Sequence, residues 1–431
     1  MSKGQTYKLI FYGDDFTGST DALEFLCLYG ARAVLFMEVP DQAMLERFPG
    51  LDAFGVAGKT RSLATNEMKE VLEKDFGQLS KFHTACIHYK VCSTFDSSPA
   101  IGSIGLAMDL GAAIFKTPLI PVLGGMPLIG RYCVFSNLFV RMGIGTSGAI
   151  HRLDRHPSMS KHPVTPADEA DLRLHLGKQT TKRIGAIDIE HMQRPSSEWL
   201  TNLKGDEDAV VLDAMVAEDL MKIGDWLDER SDLAPLFTIG SSGIEAALGM
   251  HWKSKGILNG IFQSQRIKKE GAMLVVSGSQ SPITQAQIDF ARTNGYPVQV
   301  ISVDALVADP DASMVDTIVE QSILGQPVVV HTGSRNASTL DPELLGNYYG
   351  KLVREISTRI KLTKLIICGG DTSSHTARAL GITAVEMMGS YIHGAPLCRA
   401  YSQYATIDGM EMNFKGGQVG PPEYFEVINT I

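Results

Sequence analysis

The sequence of 431 residues has few of the features that mark disulfide-rich, membrane or nucleic-acid-binding proteins. Its 6 cysteines form no Cys-x-x-Cys pair and are too sparse to cross-link the chain, so we expect reduced thiols in the cytoplasm. No uninterrupted apolar run is long enough for a signal-peptide core or a membrane span. With a formal charge of −9 there is no basic excess, which argues against nucleic acid or an anionic membrane as partner.

What is present is the composition of a soluble α/β protein. Hydrophobic residues make up 44% of the chain, charged residues 20%, and the 42 glycines outnumber the 19 prolines. The length is roughly three times that of a typical domain of about 150 residues. We therefore expect two domains.

Short apolar runs alternate with helical patterns, which is typical of βαβ units. Each domain is predicted as a mostly parallel sheet flanked by helices. The basic segment 256–270 is interpreted as a linker, so the predicted domains are 1–255 and 271–431. In the first, the regular pattern decays over 124–180, which we interpret as a long functional excursion. The second is predicted to end in a β-rich tail.

The segment YGDDFTGSTDAL (12–23) places Asp14 and Asp15 between an apolar strand and a helix start. Open α/β sheets bind ligands at this end of their strands. One aspartate is enough to cap the helix, so the second indicates function, with one of the pair as general base toward a hydroxyl. A haloacid-dehalogenase-type phosphotransferase is an alternative, although the motif match is imperfect and the usual second carboxylate is missing.

Two further strand ends carry cations. AFGVAGKT (53–60) resembles a P-loop but has Ala53 in place of the first glycine, and more loop follows it. The better interpretation is a loop that presents Arg61 to an anionic substrate, with ordinary solvated surface as the alternative. HYKVCSTFDSS (88–98) places Lys90, Ser93 and Thr94 at another strand end. With the acidic pair, these side chains suit a small hydroxylated acid.

Histidines 151, 156 and 162 lack the spacing of a metal site, so loop or substrate contacts are favoured for them. In the second half, LVVSGSQSPIT (274–284) and LIICGGDTSSHTARALGI (365–382) each lead from a strand through small residues into a helix. Backbone donors at such helix starts suit phosphate oxygens. The two glycines of the second segment allow a ligand to approach the backbone closely.

Four motifs together resemble the four-carbon acid sugar kinase family: DDFTG, KVCSTFDS, SGS and GGDTSS. The resemblance covers nearly the whole chain, and the CSTFDS form at 92–97 is similar to the 3-oxo-tetronate kinases. It implies an ATP-dependent kinase that phosphorylates a terminal hydroxyl of a small acid sugar. It also implies an N-terminal domain that binds the acid sugar, a C-terminal domain that binds ATP, and an active site in the cleft between them.

The resemblance also implies roles for individual residues. Asp15 is expected to accept the proton of the substrate hydroxyl, and Arg61 and Lys90 to hold the substrate carboxylate. The predicted substrate-binding residues are Asp14, Arg61, Lys90, Ser93 and Thr94. The predicted ATP-binding residues are Ser277, Ser279, Gly369, Gly370, Asp371, Thr372 and Gly417, with Mg²⁺ bridging the nucleotide oxygens and no dedicated protein metal site.

The sequence departs from the family on the sugar side, where Gly130-Arg131-Tyr132 stands for a Gly-Arg-Thr element and 152–163 is inserted. A branched acid such as 3-oxo-isoapionate, or a tetronate such as threonate or erythronate, is therefore an alternative substrate. A ligand sensor that has lost catalysis is an alternative from another class. The sequence leaves assembly into a homo-oligomer open.

Overall fold

The structure, a computed structural model, describes residues 5–162, 164–232, 235–264, 271–333 and 341–430. The chain forms two compact units, one of Met1–Met142 with Ser147–Phe262 and one of Gly143–Thr146 with Gln263–Ile431. Residues 265–270 of the predicted linker lie outside the described residues. The domain limits 1–255, 256–270 and 271–431 therefore stay a prediction.

Unit 1 contains a parallel sheet in the order β2-β3-β1-β4-β11-β5-β10-β9. Its central strands are apolar and buried on both faces, as expected when helices cover a parallel sheet. The strands are β1 Thr6–Gly13, β2 Ala33–Phe36, β3 Ala53–Ala57, β4 His83–Lys90, β5 Ile120–Leu123, β9 Ile184–Ile187, β10 Ala209–Leu212 and β11 Leu236–Gly240. The α/β prediction is confirmed.

The described helices of unit 1 alternate with these strands along the chain. They are α1 Phe16–Leu28, α2 Gln42–Glu46, α3 Thr65–Leu79, α4 Ile104–Phe115, α5 Leu172–Gly177, α6 Ala217–Ser231 and α7 Gly243–Ser254. The helix start predicted after the acidic pair is that of α1, which begins at Phe16 directly after Asp15.

The excursion at 124–180 is more regular than the sequence pattern indicated. It contains a separate antiparallel sheet of β6 Arg131–Val134, β7 Asn137–Arg141 and β8 Ile150–Arg152. The turn between β6 and β7 uses Phe135 and Ser136 at φ 48° and 63°, with no glycine to signal it. Asp213, at the end of β10, accepts hydrogen bonds from the backbone N–H groups of both turn residues. The hairpin thus depends on a contact distant in sequence.

Unit 2 has strands in the order β13-β14-β12-β15-β18-β17-β16. Neighbouring strands are parallel from β13 through β18, and β17 is antiparallel to both β18 and β16. The strands are β12 Ala272–Ser277, β13 Val298–Val300, β14 Val328–His331, β15 Leu362–Cys368, β16 Ile382–Gly389, β17 Leu397–Ser402 and β18 Glu411–Lys415, and the helices are α8 Pro282–Thr293, α9 Ala312–Ile323, α10 Pro342–Arg359, α11 Gly370–Ala379 and α12 Tyr424–Thr430. The β-rich tail is confirmed. Of the helices in the described residues, none has the length and apolar character that a membrane crossing needs.

Candidate active site

In unit 1, the predicted substrate-binding residues lie where β1, β3 and β4 end side by side. The strands are parallel neighbours, and Gly13 of β1 stands opposite Lys90 of β4. Asp14 and Asp15 follow β1, and Arg61 lies in the loop after β3. Because parallel strands end at the same edge of a sheet, these segments meet although they are far apart in sequence.

Arg61 binds both carboxylates of the acidic pair. Its Nη2 lies 2.7 Å from Oδ1 of Asp14 and 2.8 Å from Oδ1 of Asp15. Its Nε and Nη1 lie 3.1 Å and 2.8 Å from the second oxygens of the same two residues. We expected Arg61 to hold a substrate carboxylate, and that contact stays a prediction. In the structure its positive charge already faces two protein carboxylates.

Asp15 also caps α1. Its Oδ1 accepts a hydrogen bond from the Gly18 N–H at 2.8 Å, and its Oδ2 accepts one from the Thr17 hydroxyl at 2.7 Å. A Cβ added to Gly18 would lie 2.6 Å from Asp15 Oδ1 and 3.0 Å from Lys90 Nζ. Glycine is therefore required where the helix start passes over these charged groups.

The two aspartates differ in acidity. Both are nearly buried, with 3% and 5% of Asp14 and Asp15 exposed. Burial outweighs the attraction of Arg61 and raises the pKa of Asp14. Burial also acts to raise the pKa of Asp15, but Arg61 and the hydrogen bond from Thr17 outweigh it, so that pKa is lowered. Asp15 is thus ionised at neutral pH, and Asp14 is the more basic of the pair.

Lys90 is a buried cation beside this pair, with 1% of its surface exposed. Its Nζ donates to the Val91 carbonyl at 2.9 Å and lies 3.8 Å from Oδ2 of Asp21, on α1. Burial raises the pKa of Asp21 to about 6, although Lys90 acts to lower it. The contacts with Val91 and Asp21 hold the Lys90 ammonium group in place, where it contributes positive charge to the site.

The loop after β4 joins the cluster through its backbone. The N–H of Cys92 donates to Oδ2 of Asp14 at 3.4 Å. Ser93 and Thr94 are 9% and 6% exposed, and the Ser93 hydroxyl accepts a hydrogen bond from Nε of Arg131 at 3.0 Å. Sequence reasoning did not assign Arg131 a role. Only the fold of the 124–180 excursion brings it to this loop.

In unit 2, the predicted ATP-binding residues lie where β14, β12, β15 and β18 end. Ser277 stands opposite His331 on one side and Cys368 on the other, and Cys368 stands opposite Lys415. The loops 277–281 and 369–372 and the glycine-rich turn after β18 therefore leave the sheet at the same edge. This is the edge where α/β sheets bind ligands.

These loops approach one another closely. Gly369 has φ +116°, and a Cβ added there would lie 3.0 Å from Thr372 Oγ1 and 3.4 Å from the Ser279 backbone nitrogen. A Cβ on Gly417 would lie 3.0 Å from Ser279 Oγ. The structure thus brings together the loops that sequence analysis predicted to bind phosphate.

The helix α11 begins at Gly370, so Asp371 and Thr372 belong to its first turn. Its N-cap is Gly369, which provides no side-chain hydrogen bond to the first-turn N–H groups. Their donors and the positive end of the helix dipole suit an anion.

A pocket of about 190 Å³ lies at the same edge, lined by residues that include Ser277, Ser279, Gln285 and His331. The buried Ser277 Oγ and His331 Nε2 have no hydrogen-bond partner among the described residues. Unpaired buried polar atoms are costly, so they mark a place for a polar ligand. Sequence analysis did not single out His331 or Lys415. Their signal is that each ends a strand, as Lys90 does.

Comparison with known proteins finds two family models that match the chain. The chain matches the family model of a sugar-binding N-terminal domain over residues 9–248 and that of a nucleotide-binding C-terminal domain over residues 274–425. The chain therefore belongs to the family that combines these two domains, and the resemblance to the acid sugar kinase family is confirmed. This membership replaces the haloacid-dehalogenase alternative.

Curated relatives align over almost the full length. The chain is 35% identical to the 3-oxo-isoapionate kinase of Paraburkholderia graminis, over 97% of this chain and 93% of that protein. It is 28% identical to the 3-oxo-tetronate kinase of Escherichia coli K12, over 91% of this chain and 99% of that protein. A crystal structure from Salmonella typhimurium, described as a putative tRNA synthase, is 24% identical with a TM-score of 0.76 over 98% of both chains. That likeness shows the fold alone.

Proposed function

We propose that this protein is an ATP-dependent kinase that phosphorylates a hydroxyl group of a small acid sugar. The observation that carries the proposal is the 35% identity, over 97% of the chain, to a 3-oxo-isoapionate kinase. The six free cysteines, all in the described part of the chain, fit our proposal that the reaction takes place in the reducing cytoplasm.

Two substrates are supported to different degrees. The CSTFDS motif favours a 3-oxo-tetronate, but the 3-oxo-tetronate kinases of Escherichia coli and Cupriavidus necator are only 28% and 25% identical to the chain. The higher identity to the 3-oxo-isoapionate kinase and the altered Gly130-Arg131-Tyr132 element favour the branched acid. We therefore propose 3-oxo-isoapionate as the first substrate to test and 3-oxo-tetronate as the second.

In unit 1 the acidic pair is proposed to receive the reacting hydroxyl. Asp15, ionised at neutral pH, accepts the hydroxyl proton. Arg61 holds both carboxylates in one orientation through four hydrogen bonds and keeps one N–H for the substrate. Asp14, Lys90, Ser93 and Thr94 complete the substrate site. A fixed arrangement of this kind suits phosphoryl transfer, in which positioning and charge neutralisation dominate.

In unit 2 the loop residues and the α11 start are proposed to bind ATP, which supplies the phosphoryl group. The uncapped first turn of α11, the buried Ser277 hydroxyl and the glycine-lined approach fit phosphate oxygens. The proposed residues are Ser277, Ser279, Gly369, Gly370, Asp371, Thr372 and Gly417. In the described residues no group of three or more His, Cys, Asp or Glu side chains could hold a metal. Mg²⁺ is therefore proposed to enter on the nucleotide phosphates, as it commonly does.

The test is substrate-dependent ADP release by the full chain with ATP and Mg²⁺. The panel contains 3-oxo-isoapionate, 3-oxo-tetronate, threonate and erythronate, with a no-acid control for ATP hydrolysis. We expect the highest kcat/KM with 3-oxo-isoapionate. ADP release with none of the acids, together with acid binding by calorimetry, would instead support a ligand sensor.

A further inference from the structure

Arg131 is a buried guanidinium that no carboxylate of the described residues neutralises. It begins β6 in the 124–180 excursion, and 3% of it is exposed. Its Nε donates to Ser93 Oγ at 3.0 Å, and its Nη1 donates to the Ile129 and Arg141 carbonyls at 3.0 Å and 3.3 Å. All three acceptors are uncharged. Within the described chain, no Asp or Glu forms an ion pair with it. A buried charge normally has a partner of opposite sign.

The contrast with Arg61 shows what is missing at Arg131. Burial acts to lower the pKa of Arg61, but Asp14 and Asp15 outweigh it and raise that pKa well above its usual range. At Arg131 burial dominates and the pKa is lowered, although the attraction of Cys92, Asp21 and Asp96 acts to raise it. Both side chains stay protonated, since a guanidinium does not lose its proton in proteins. Asp14 and Asp15 neutralise the positive charge of Arg61, whereas no carboxylate of the described residues pairs with that of Arg131.

The donors of Arg131 are also only partly used. Its Nη2 makes no hydrogen bond to the described residues, whereas Nε and Nη1 are held in place by Ser93 and two carbonyls. A guanidinium fixed in this way presents Nη2 to a ligand at low entropic cost.

His156 is a second buried donor of the same region: its ring centroid lies 5.7 Å from that of His151, which aligns through Val140 with Arg131 across β8, β7 and β6. It is 2% exposed, and its Nδ1 accepts hydrogen bonds from the backbone N–H groups of Ser158 and Met159, both at 3.3 Å. The ring proton therefore resides on Nε2, which makes no hydrogen bond to the described residues. Burial, His151 and the positive charge of Arg131 together lower the pKa of His156 to about 4. The ring is a neutral donor near a cation.

We propose that Arg131, with His156 as a neutral donor, forms the subsite for the carboxylate of the acid substrate. The inference rests on the proposed kinase function and names the group that recognises the acid. Arg61 is less suited, because a third carboxylate there would meet Asp14 and Asp15 and be repelled. Ser93, which holds the Arg131 guanidinium, follows Lys90 closely in the chain. The carboxylate subsite is thus tied to the loop after β4, whose Cys92 N–H donates to Asp14 of the acidic pair.

The experiment compares each acid with its primary amide, which has the same shape but no charge. In the full chain, Arg131→Met should raise KM for the acid by about 10- to 100-fold, the usual effect of losing a charge-assisted contact, and leave KM for the amide nearly unchanged. Arg131→Lys should keep part of the preference for the acid. Arg152→Met, which removes a half-exposed arginine of the same excursion, is the matched control and should behave as wild type. KM for ATP should stay constant in all three variants.

The outcomes separate this inference from the proposed function. If the wild type releases ADP and folded Arg131→Met keeps the wild-type preference for acid over amide, the subsite is wrong and the kinase function stands. If no acid supports ADP release, calorimetry with the same acids tests the subsite alone, and binding that Arg131→Met abolishes supports it. Wild-type protein that binds no acid overturns both. If Arg131→Met does not fold, Arg131→Lys and Ser93→Ala replace it. The ratio of KM for the acid to KM for the amide in these two variants then tests the subsite.

Discussion

Four cations lie at the two sites, three of them buried and Arg61 partly exposed, and their surroundings differ. Arg61 contacts two carboxylates, and Lys90 has Asp21 at 3.8 Å. Arg131 and Lys415 have only neutral hydrogen-bond partners among the described residues. Because burying an unpaired charge is costly, the cations without protein anions are the ones with most to gain from an anionic ligand.

Asp15→Asn should lower kcat by at least about 100-fold, the usual share of a general base. Asparagine keeps the cap of α1, and KM for ATP should not change, because the proposed nucleotide residues are all in unit 2. Steady-state kinetics with the best acid of the panel measure both quantities.

The matched control for this prediction is Asp41→Asn, because Asp41 caps α2 and its Oδ1 accepts from the Met44 N–H at 2.8 Å. It should leave kcat unchanged. Asp14→Asn separates the members of the acidic pair. Near-normal turnover in Asp15→Asn with a large loss in Asp14→Asn would transfer the base role to Asp14, whose pKa is raised by burial.

Lys415 should make stability depend on pH. Burial lowers its pKa in the folded protein to about 8, against 10.5 for an ordinary lysine. Below about pH 8 the lysine is protonated in both states, and folding carries the cost of burying the charge. Between about pH 8 and pH 10.5, Lys415 keeps its proton in the unfolded chain but not in the folded protein. The free energy of unfolding should therefore rise with pH over that range, by up to roughly 1.4 kcal/mol per pH unit.

Urea unfolding of wild type and Lys415→Met, from about pH 7 to about pH 10, measures this contribution. The wild-type value minus the variant value should rise over the range. Thr284→Val removes the hydroxyl that accepts from Lys415 Nζ at 3.0 Å but keeps the lysine, so it should keep the pH dependence. A constant difference between wild type and Lys415→Met would show that Lys415 does not titrate there.

At the scale of elements, each site lies where strand ends of one sheet come together. The strand and helix pattern was predicted well because apolar strands and amphipathic helices have different periods. The structure of the 124–180 excursion was not predicted. Its β6–β7 turn at Phe135 and Ser136 is held by Asp213, a contact that no local sequence pattern shows. The acidic pair and the glycine loops could be found as motifs. Arg131 could be found only as part of the altered Gly130-Arg131-Tyr132 element, and its role could not be assigned, because its surroundings come from the excursion.

The turn from β15 into α11 provides a prediction at this scale. Gly369→Ala should lower ADP affinity by at least about 10-fold, because φ +116° is strained for alanine and the added Cβ would crowd Thr372 Oγ1 at 3.0 Å. Gly325→Ala is the matched control, since Gly325 also has positive φ, +78°, but faces open space. That control should lose about 1 kcal/mol of stability and bind ADP normally. Calorimetry on both proteins decides, and normal ADP binding by folded Gly369→Ala would contradict the loop assignment.

At the scale of the whole molecule, unit 2 is not one continuous stretch of chain. Gly143–Thr146, from the excursion, belongs to it, and Ile144 exchanges hydrogen bonds with the backbone of Gln418 and Gly420 at 2.9 Å and 3.2 Å. These contacts support the turn that follows β18. The continuous stretch 263–431 still contains all seven strands β12–β18 and helices α8–α12, enough for a core of its own.

A fragment beginning at Gln263 should therefore fold and bind ADP, a few-fold more weakly than the full chain, because Ile144 no longer supports the turn beside Gly417. It should not bind acid sugars or transfer phosphate, since Asp15, Arg61 and Lys90 are in unit 1. Calorimetry with ADP and with each acid of the panel measures this. A folded fragment that ignores ADP would contradict the assignment of nucleotide binding to unit 2.

The α/β class, the strand-end motifs and the family follow from the amino-acid sequence, because hydrophobic periods and short motifs are local properties of the chain. Which charges meet depends on the three-dimensional fold. In the fold, Arg61 forms ion pairs with Asp14 and Asp15, whereas Arg131 binds Ser93 and forms no ion pair with a carboxylate of the described residues. Side chains from separate strands come together only when the sheet aligns their ends, and the electrostatic state of each group depends on burial and on those neighbours.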